Sequence, residues 1–315
     1  MKHFLAIADL STAEFNSVLA TAKKLKVEWR KTGNKPILKN KTLGMVFQKP
    51  SLRTRVSFDM AMLHLGGQAL YLSPNEIGLG QRESIADVAR VLSRYVDGIM
   101  ARVFAHAHVT ELAQYSSVPV INGLSDHEHP CQAMADVLTI IEHKGKLKGL
   151  RVVFLGDGNN VARSLMYACM LGGAQFICSS PKGYAIDDAS VAKACELARK
   201  SGGTVELVED PQTAAKDADV LYTDVWTSMG QESEVAERGR IFPPYQINSS
   251  LIAQAKKKCI VMHCLPAHRG GEITDDVMDG PHSVVFDQAE NRMHAQKAIV
   301  ALLMAGKKRK SISKQ

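Results

Sequence analysis

The sequence contains no run of about 18 consecutive apolar residues, so no part of it is expected to cross a membrane. Its six cysteines (Cys131, Cys169, Cys178, Cys195, Cys259 and Cys264) are scattered and form no Cys-x-x-Cys pair, which argues against a zinc site. The first ten residues lack both a long apolar core and a small-residue cleavage site. No signal peptide is therefore expected, the thiols should be reduced, and the expected location is cytoplasmic. Aromatic residues make up only 6% of the chain, and none is interleaved with the short basic runs at 23–31, 256–258 and 307–310. The net charge of +7 is thus not patterned for nucleic acid, and suits a small anionic substrate better. Repeats and low-complexity linkers are also missing. What remains is an ordinary globular composition, 45% hydrophobic and 23% charged. At 315 residues the chain is too long for one core, and two domains are expected.

One stretch organises the rest: Phe47-Gln48-Lys49-Pro50-Ser51-Leu52-Arg53-Thr54-Arg55-Val56-Ser57-Phe58. The apolar residues before it read as a strand, and Phe58, Met62 and Leu65 recur after it at helical spacing until Gly66-Gly67. Ser51 is a natural N-cap, so the backbone N–H groups of Leu52, Arg53 and Thr54 point unpaired from the positive end of a helix. With the Ser51 hydroxyl and the guanidinium groups of Arg53 and Arg55, this makes an anion cradle of the phosphate-binding kind. The plainer reading is a capped helix with two solvated arginines.

Strand-like and helix-like segments alternate throughout. Strands are expected at 41–47, 68–73, 98–103, 118–121, 151–155, 175–178, 204–208, 220–225, 259–263 and 283–286. Helices are expected at 8–29, from 51, at 84–95, 110–115, from Pro130, and at 161–171, 188–200, 211–216, 248–257 and 289–304. The alternation predicts an α/β fold of two domains, each a parallel β-sheet flanked by helices, with the boundary in the glycine-bracketed segment near 145–149. Ligands of such sheets sit off the carboxyl ends of strands. Ser51, Arg102, His129, Asn160, Asp224 and Cys264 each follow an expected strand.

Several clusters there carry chemistry, each beside a plainer alternative. Gly156-x-Gly158 after a strand invites a dinucleotide reading, but Val161 stands where a third small residue is needed. No acidic residue ends the next strand either. His129 reads as a base, a metal ligand or a structural hydrogen bonder. Beside Pro130, with Gln132 close by, it could instead aim a ring N–H and an amide at a polarised carbonyl. Asp224 reads as an N-cap or as a partner for a substrate ammonium. Cys264, beside a Leu265-Pro266 turn, reads as a buried thiol or a site residue.

Ser51-Leu52-Arg53-Thr54-Arg55, His129-Pro130-Cys131-Gln132, Asp224 with Ser228-Met229-Gly230-Gln231-Glu232, and His263-Cys264-Leu265-Pro266 occur together and in order. That combination resembles the ornithine carbamoyltransferases over nearly the whole chain. The Ser-Met-Gly loop and the Cys-Leu-Pro turn resemble that branch rather than the aspartate one. The resemblance implies transfer of the carbamoyl group of carbamoyl phosphate to the δ-amine of ornithine, giving citrulline and phosphate, in arginine biosynthesis. It implies a phosphate held by Ser51, Leu52, Arg53 and Thr54, and a carbonyl oxygen polarised by Thr54, Arg102 and His129. Gln132 would hold the carbamoyl amide beside Pro130 and Cys131, and Cys264, Leu265 and Arg292 would close the pocket. Ornithine would be held by Asn160, Asp224, Ser228 and Met229. Arg102, His129 and Cys264 are the expected catalytic residues, with Cys264 a candidate proton acceptor.

The same resemblance implies a homotrimer or a multiple of trimers, with active sites between subunits. It also implies no metal and no organic cofactor, and no nucleic-acid or membrane partner. The expected domains are 1–147 for carbamoyl phosphate, joined by a C-terminal helix at 288–306, and 148–287 for ornithine. Two positions depart from the family pattern. Leu52 replaces a frequent threonine at a position that mainly offers backbone. Gly78 stands where a glutamine is usual, and Gln81 is the candidate substitute. The alternatives are another amine acceptor, such as putrescine or an N-acylated ornithine, or a non-catalytic binding or regulatory protein on the same fold.

Overall fold

The computed structural model describes residues 1–227 and 230–306. The chain divides into two compact units, one of Met1–Cys131 with the residues from Met293 onward, the other of Gln132–Arg292. The chain thus passes from the first unit to the second within the helix Pro130–Lys144 and returns within the helix Val285–Met304.

The first unit holds β1 (Thr42–Phe47), β2 (Gln68–Leu72), β3 (Gly98–Arg102) and β4 (Val120–Leu124), all parallel, in the order β2-β1-β3-β4. β1 and β3 are buried almost throughout, which explains their continuous apolar sequences. The Thr12–Thr32 helix starts at a full capping box, in which Ser11 and Glu14 each satisfy the other's backbone N–H. One face of the sheet packs Val46, Ile99, Ala101 and Val120 against Val88, Val109 and Leu112 of the Ile85–Tyr95 and His106–Tyr115 helices.

The second unit holds β5 (Arg151–Leu155), β6 (Gln175–Ser179), β7 (Thr204–Val208), β8 (Val220–Thr223) and β9 (Ile260–His263), again all parallel, in the order β7-β6-β5-β8-β9. Val153, Leu155, Leu221 and Val261 lie in its core with Leu251, Val277 and Val285.

Each sheet therefore reverses its strand order once, beside its first strand. The reversal falls between β1 and β3 in one unit and between β5 and β8 in the other. Binding crevices of open α/β sheets lie at such points, outside the carboxyl ends of the strands.

Two expected elements take another form. Residues 283–286 do not make a tenth strand. Ser283 forms a single bridge to Val261, Val284 N–H bonds the Val261 carbonyl at 3.0 Å, and the helix Val285–Met304 begins at once. The buried Val284–Val285 pair imitates a strand because a helix start packed into a core is equally apolar. The helix expected at 248–257 is only Ser249–Ile252. The chain beyond it is recruited instead to the start of β8, where the Gln254 carbonyl accepts from Asp217 N–H and Lys256 N–H donates to Ala218.

Candidate active site

In the first unit the site begins where β1 ends. Ser51 is extended (φ −161°, ψ 116°) and caps the Leu52–His64 helix, accepting from Thr54 N–H at 3.3 Å. Its hydroxyl also donates to Thr54 Oγ1 at 3.1 Å, and Arg102 Nη1 donates to the same oxygen at 3.4 Å. Arg102 ends β3 and is paired in register with Phe47 at the end of β1. The helix mouth, its capping hydroxyl and a buried guanidinium are thus joined at the reversal of strand order. Arg53 adds a buried Nε without a hydrogen-bond partner among the described residues. Arg55, the other guanidinium of the expected cradle, makes different contacts. It is exposed, its guanidinium lies 4.1 Å from the Tyr71 ring centroid, and its Nε is 3.9 Å from Asp59.

Two neighbours carry no sequence signal of a site. Gln48 bonds the Leu79 carbonyl (3.0 Å), Phe104 N–H (2.9 Å) and His108 Nδ1 (3.2 Å), and so ties together the segments that follow β1 and β3. Lys49 is half-buried with its Nζ 4.9 Å from the Phe104 ring centroid. Burial, and then the Arg102 charge, lower its pKa to about 8.

His129 follows β4 and is buried. The turn before it is pinned at both ends. Ser125 N–H bonds the Glu128 carbonyl at 3.0 Å, and the Glu128 carboxylate accepts from Ile7 N–H at 2.7 Å. Pro130 opens the next helix, and the Cys131 thiol is turned back onto the Asn122 carbonyl at 3.4 Å. Cys131 is therefore buried structural packing at its sulfur, and its backbone is what it can offer a ligand.

In the second unit, Asn159 caps the helix after β5, accepting from Val161 and Ala162 N–H at 2.9 and 3.1 Å. Its amide donates to Asp224 Oδ2 at 2.9 Å. Asp224 leaves the tip of β8 and Asn160 opens the helix that follows β5, and these are the two strands that flank the reversal. The other Asp224 oxygen accepts from the Cys264 thiol at 3.0 Å. Burial and the Asp224 charge raise the Cys264 pKa well above the usual thiol value, so the sulfur is a protonated donor at neutral pH. As a protonated donor, Cys264 serves first to orient Asp224.

His263 orients the turn. Its Nδ1 accepts from Leu265 N–H at 2.9 Å and its Nε2 lies 3.0 Å from Glu272 Oε1. Leu265 sits at φ +60°, a strained conformation for a branched residue, and precedes a cis proline. Ligand atoms of Asp224, His263 and Cys264 lie within 4.8 Å of one another. Both ring nitrogens and both carboxylate oxygens are engaged in the hydrogen bonds just described, so the trio is a positioning network rather than a metal cage.

Gln132 and Arg292 are buried in this unit. The Gln132 amide nitrogen donates to Asp136 at 2.8 Å, and the charge of Arg292 acts on both Asp136 and Cys264. Ser228 and Met229 lie outside the described residues. The segments around them are held by Arg238, whose guanidinium bonds Asp157 (2.9 Å), Glu234 (2.8 Å) and the Trp226 carbonyl (2.7 Å). Sequence reasoning gave no sign of Asn159, Asp136 or Arg238.

These features define an α/β protein with a donor-rich helix mouth at the strand-order reversal of one unit and a carboxylate at a strand tip of the other. Comparison with known proteins gives the family. Residues 2–142 match the carbamoyl-P binding domain, and residues 148–303 the Asp/Orn binding domain, of aspartate/ornithine carbamoyltransferase. The chain is 57% identical over 309 residues to the ornithine carbamoyltransferase of Pyrococcus abyssi, covering 98% of this chain and 97% of the relative. It is likewise 57% identical over 307 residues to the anabolic ornithine carbamoyltransferase of Pyrococcus furiosus, covering 97% of each. A solved Pyrococcus furiosus ornithine carbamoyltransferase superposes with a TM-score of 0.95 at 56% identity, covering 98% of both chains. The chain belongs to the aspartate/ornithine carbamoyltransferase family.

Proposed function

We propose that this chain transfers the carbamoyl group of carbamoyl phosphate to the δ-amine of L-ornithine, giving L-citrulline and phosphate, in arginine biosynthesis. The observation that carries the reading is the Ser51–Thr54–Arg102 hydrogen-bonded helix mouth at the β1/β3 reversal. Phosphate would sit on the N–H groups of Leu52, Arg53 and Thr54. Thr54, Arg102 and His129 would polarise the carbonyl, Gln132 would accept from the carbamoyl amide, and Cys264, Leu265 and Arg292 would complete its surroundings. Attack creates an oxyanion at the carbamoyl carbon while the leaving phosphate gains charge. Fixed donors aimed at developing charge are commonly worth about 3 kcal/mol each.

The amine is the harder part, because a free alkylammonium is neutral only roughly one time in two thousand at pH 7. Asp224 would favour its charged form, so Asp224 is better assigned to the α-ammonium of ornithine, with Asn160, Ser228 and Met229 as its neighbours. The δ-amine then loses its proton on desolvation. The proton shed by its nitrogen after attack leaves with the basic phosphate. Arg53, Arg102 and His129 are all retained, which a non-catalytic protein on this fold would not require.

An Asp224 held from two sides suits a free α-ammonium and disfavours putrescine or an N-acylated ornithine. A citrulline-formation assay with ornithine, acetylornithine, putrescine and aspartate tests this. Ornithine should exceed every other amine at least a hundredfold in kcat/KM. Turnover of acetylornithine or putrescine at a comparable rate would reassign the acceptor.

We further assign residues 1–147 with the 288–306 helix to carbamoyl phosphate and 148–287 to ornithine, in a cytoplasmic homotrimer or a multiple of trimers. The support for assembly is an apolar stripe of Leu52, Val56 and Leu63 on one exposed helix face, together with exposed Leu70 on β2. β2 is an edge strand, paired only with β1. Exposed apolar stripes beside open sheet edges are characteristic of covered surfaces.

A further inference from the structure

Asp136 lies on the Pro130–Lys144 helix one turn after Gln132 and has no solvent exposure. Its Oδ1 accepts from Gln132 Nε2 at 2.8 Å and from Gln288 Nε2 at 2.7 Å, and its Oδ2 accepts from the Tyr222 hydroxyl at 3.2 Å. Burial raises the Asp136 pKa to about 7, and in its ionised form the carboxylate has no hydrogen to give, so each glutamine turns its amide nitrogen toward Oδ1. For Gln288 the consequence is visible. Its Oε1 faces the other way and accepts His263 N–H at 2.9 Å, which anchors the strand tip carrying Cys264. For Gln132 the same constraint leaves Oε1 buried and without a hydrogen-bond partner among the described residues. A buried acceptor with no donor is destabilising unless a ligand supplies one.

We propose that Asp136 is a positioning residue that fixes the amide of Gln132 with its oxygen outward, so that the site accepts a hydrogen bond from the carbamoyl nitrogen and selects carbamoyl over acyl phosphates. The proposal rests on the carbamoyl-transfer reading and deepens it. Carbamoyl phosphate presents an N–H donor where acetyl phosphate, of nearly the same shape, presents a methyl group. A site built around a hydrogen bond rejects an analogue that lacks the donor far more strongly than an apolar pocket can. Were the amide reversed, Nε2 would meet the carbamoyl NH2 donor to donor, and the preference would vanish.

The test is Asp136→Asn, whose amide nitrogen can donate to the Oε1 of a reversed Gln132. KM for carbamoyl phosphate should rise about 10- to 100-fold. The inhibition constant of acetyl phosphate, competing with carbamoyl phosphate, should stay within about twofold, so that discrimination collapses. Damage to packing would raise both values together, and that result, like an unchanged carbamoyl phosphate KM, overturns the proposal. If Asp136→Asn does not fold by circular dichroism, the double variant Gln132→Glu/Asp136→Asn decides. It exchanges donor and acceptor across the same contact at constant net charge and leaves an oxygen facing outward. Recovery of the preference for carbamoyl over acetyl phosphate supports the assignment, and continued loss overturns it. A wild-type protein that forms no citrulline would instead refute the functional reading itself, whereas wild-type turnover with intact discrimination in Asp136→Asn refutes only the role of Asp136.

Discussion

Lys49 and Cys264 show how burial sets the protonation of residues beside the reacting groups. Lys49 in the free protein titrates near pH 8 because burial, and then Arg102, disfavour its ammonium form. A depressed lysine pKa means that the folded state binds fewer protons than the unfolded chain between about pH 8 and 10.5. This group's destabilising contribution is therefore full below 8 and relieved as pH rises. A phosphoryl anion at the neighbouring helix mouth works in the opposite direction and favours the charged lysine. The KM for carbamoyl phosphate should thus rise above pH 8, by up to tenfold per pH unit for a single linked proton. Lys49→Met should show a higher KM at pH 7 and no such rise, and a wild-type KM flat from pH 7 to 9.5 would contradict the linkage. Cys264 makes the complementary case. Its thiol is held protonated by burial and by Asp224, so it contributes no titration between pH 6 and about 9. Cys264→Ser should lower kcat/KM for ornithine yet keep the midpoint of its pH profile. A shift of that midpoint by one pH unit or more would restore the thiol as a base.

At the scale of single elements, the segment between β2 and the Ile85–Tyr95 helix carries the main departure from the family pattern. Pro74–Ile77 forms one helical turn begun by Ser73 and Glu76, and Gly78 closes it in the left-handed region at φ +54°. A Cβ at Gly78 would lie 3.1 Å from the Arg82 Cβ. Gly78→Gln should therefore destabilise the protein by about 1–2 kcal/mol, read by thermal or urea unfolding, without lowering the KM for carbamoyl phosphate. Gln81, exposed three residues on, is the candidate substitute for the glutamine that the family resemblance leads one to expect at position 78. Gln81→Ala should raise that KM severalfold, and a wild-type value would remove Gln81 from consideration. Much of this architecture was legible in advance. The β1-to-helix turn, the strand–helix alternation and the strand-tip placement of Ser51, Arg102, Asn160 and Asp224 follow from short-range periodicity and capping, which a linear sequence displays. The roles of Gln48, Asn159, Asp136 and Arg238 do not, because each depends on a partner distant in the chain; Asp136 and Gln288 are 152 residues apart. The same limit explains 283–286, where burial of Val284 and Val285 is readable but strand pairing is decided elsewhere.

At the scale of the whole molecule, the exposed apolar stripe of Leu52, Val56 and Leu63 calls for a cover. Val56 and Leu63 are seven residues apart, two helical turns, so they share one face of the helix that begins at the phosphate mouth. Leu63 is 62% exposed, and Leu70, on the edge strand β2, is 49% exposed. Apolar groups that remain wet at this density forgo roughly 25 cal/mol for every Å² they could bury. Burial by a second copy also places the neighbour's surface near Ser51, five residues before Val56 at the start of the same helix. Assembly and carbamoyl phosphate affinity should therefore fail together. Light scattering of the wild-type protein should give three times, or a multiple of three times, the 34.4 kDa of one chain. Val56→Asp/Leu63→Glu should bring the mass toward a single chain while the far-ultraviolet circular dichroism is retained, since both side chains point outward. The KM for carbamoyl phosphate should rise in step with dissociation as the protein is diluted. A wild-type protein that is fully active at the mass of one chain would show that the stripe is not a subunit contact. A dissociated double variant with unaltered KM would show that each chain completes its own phosphate site.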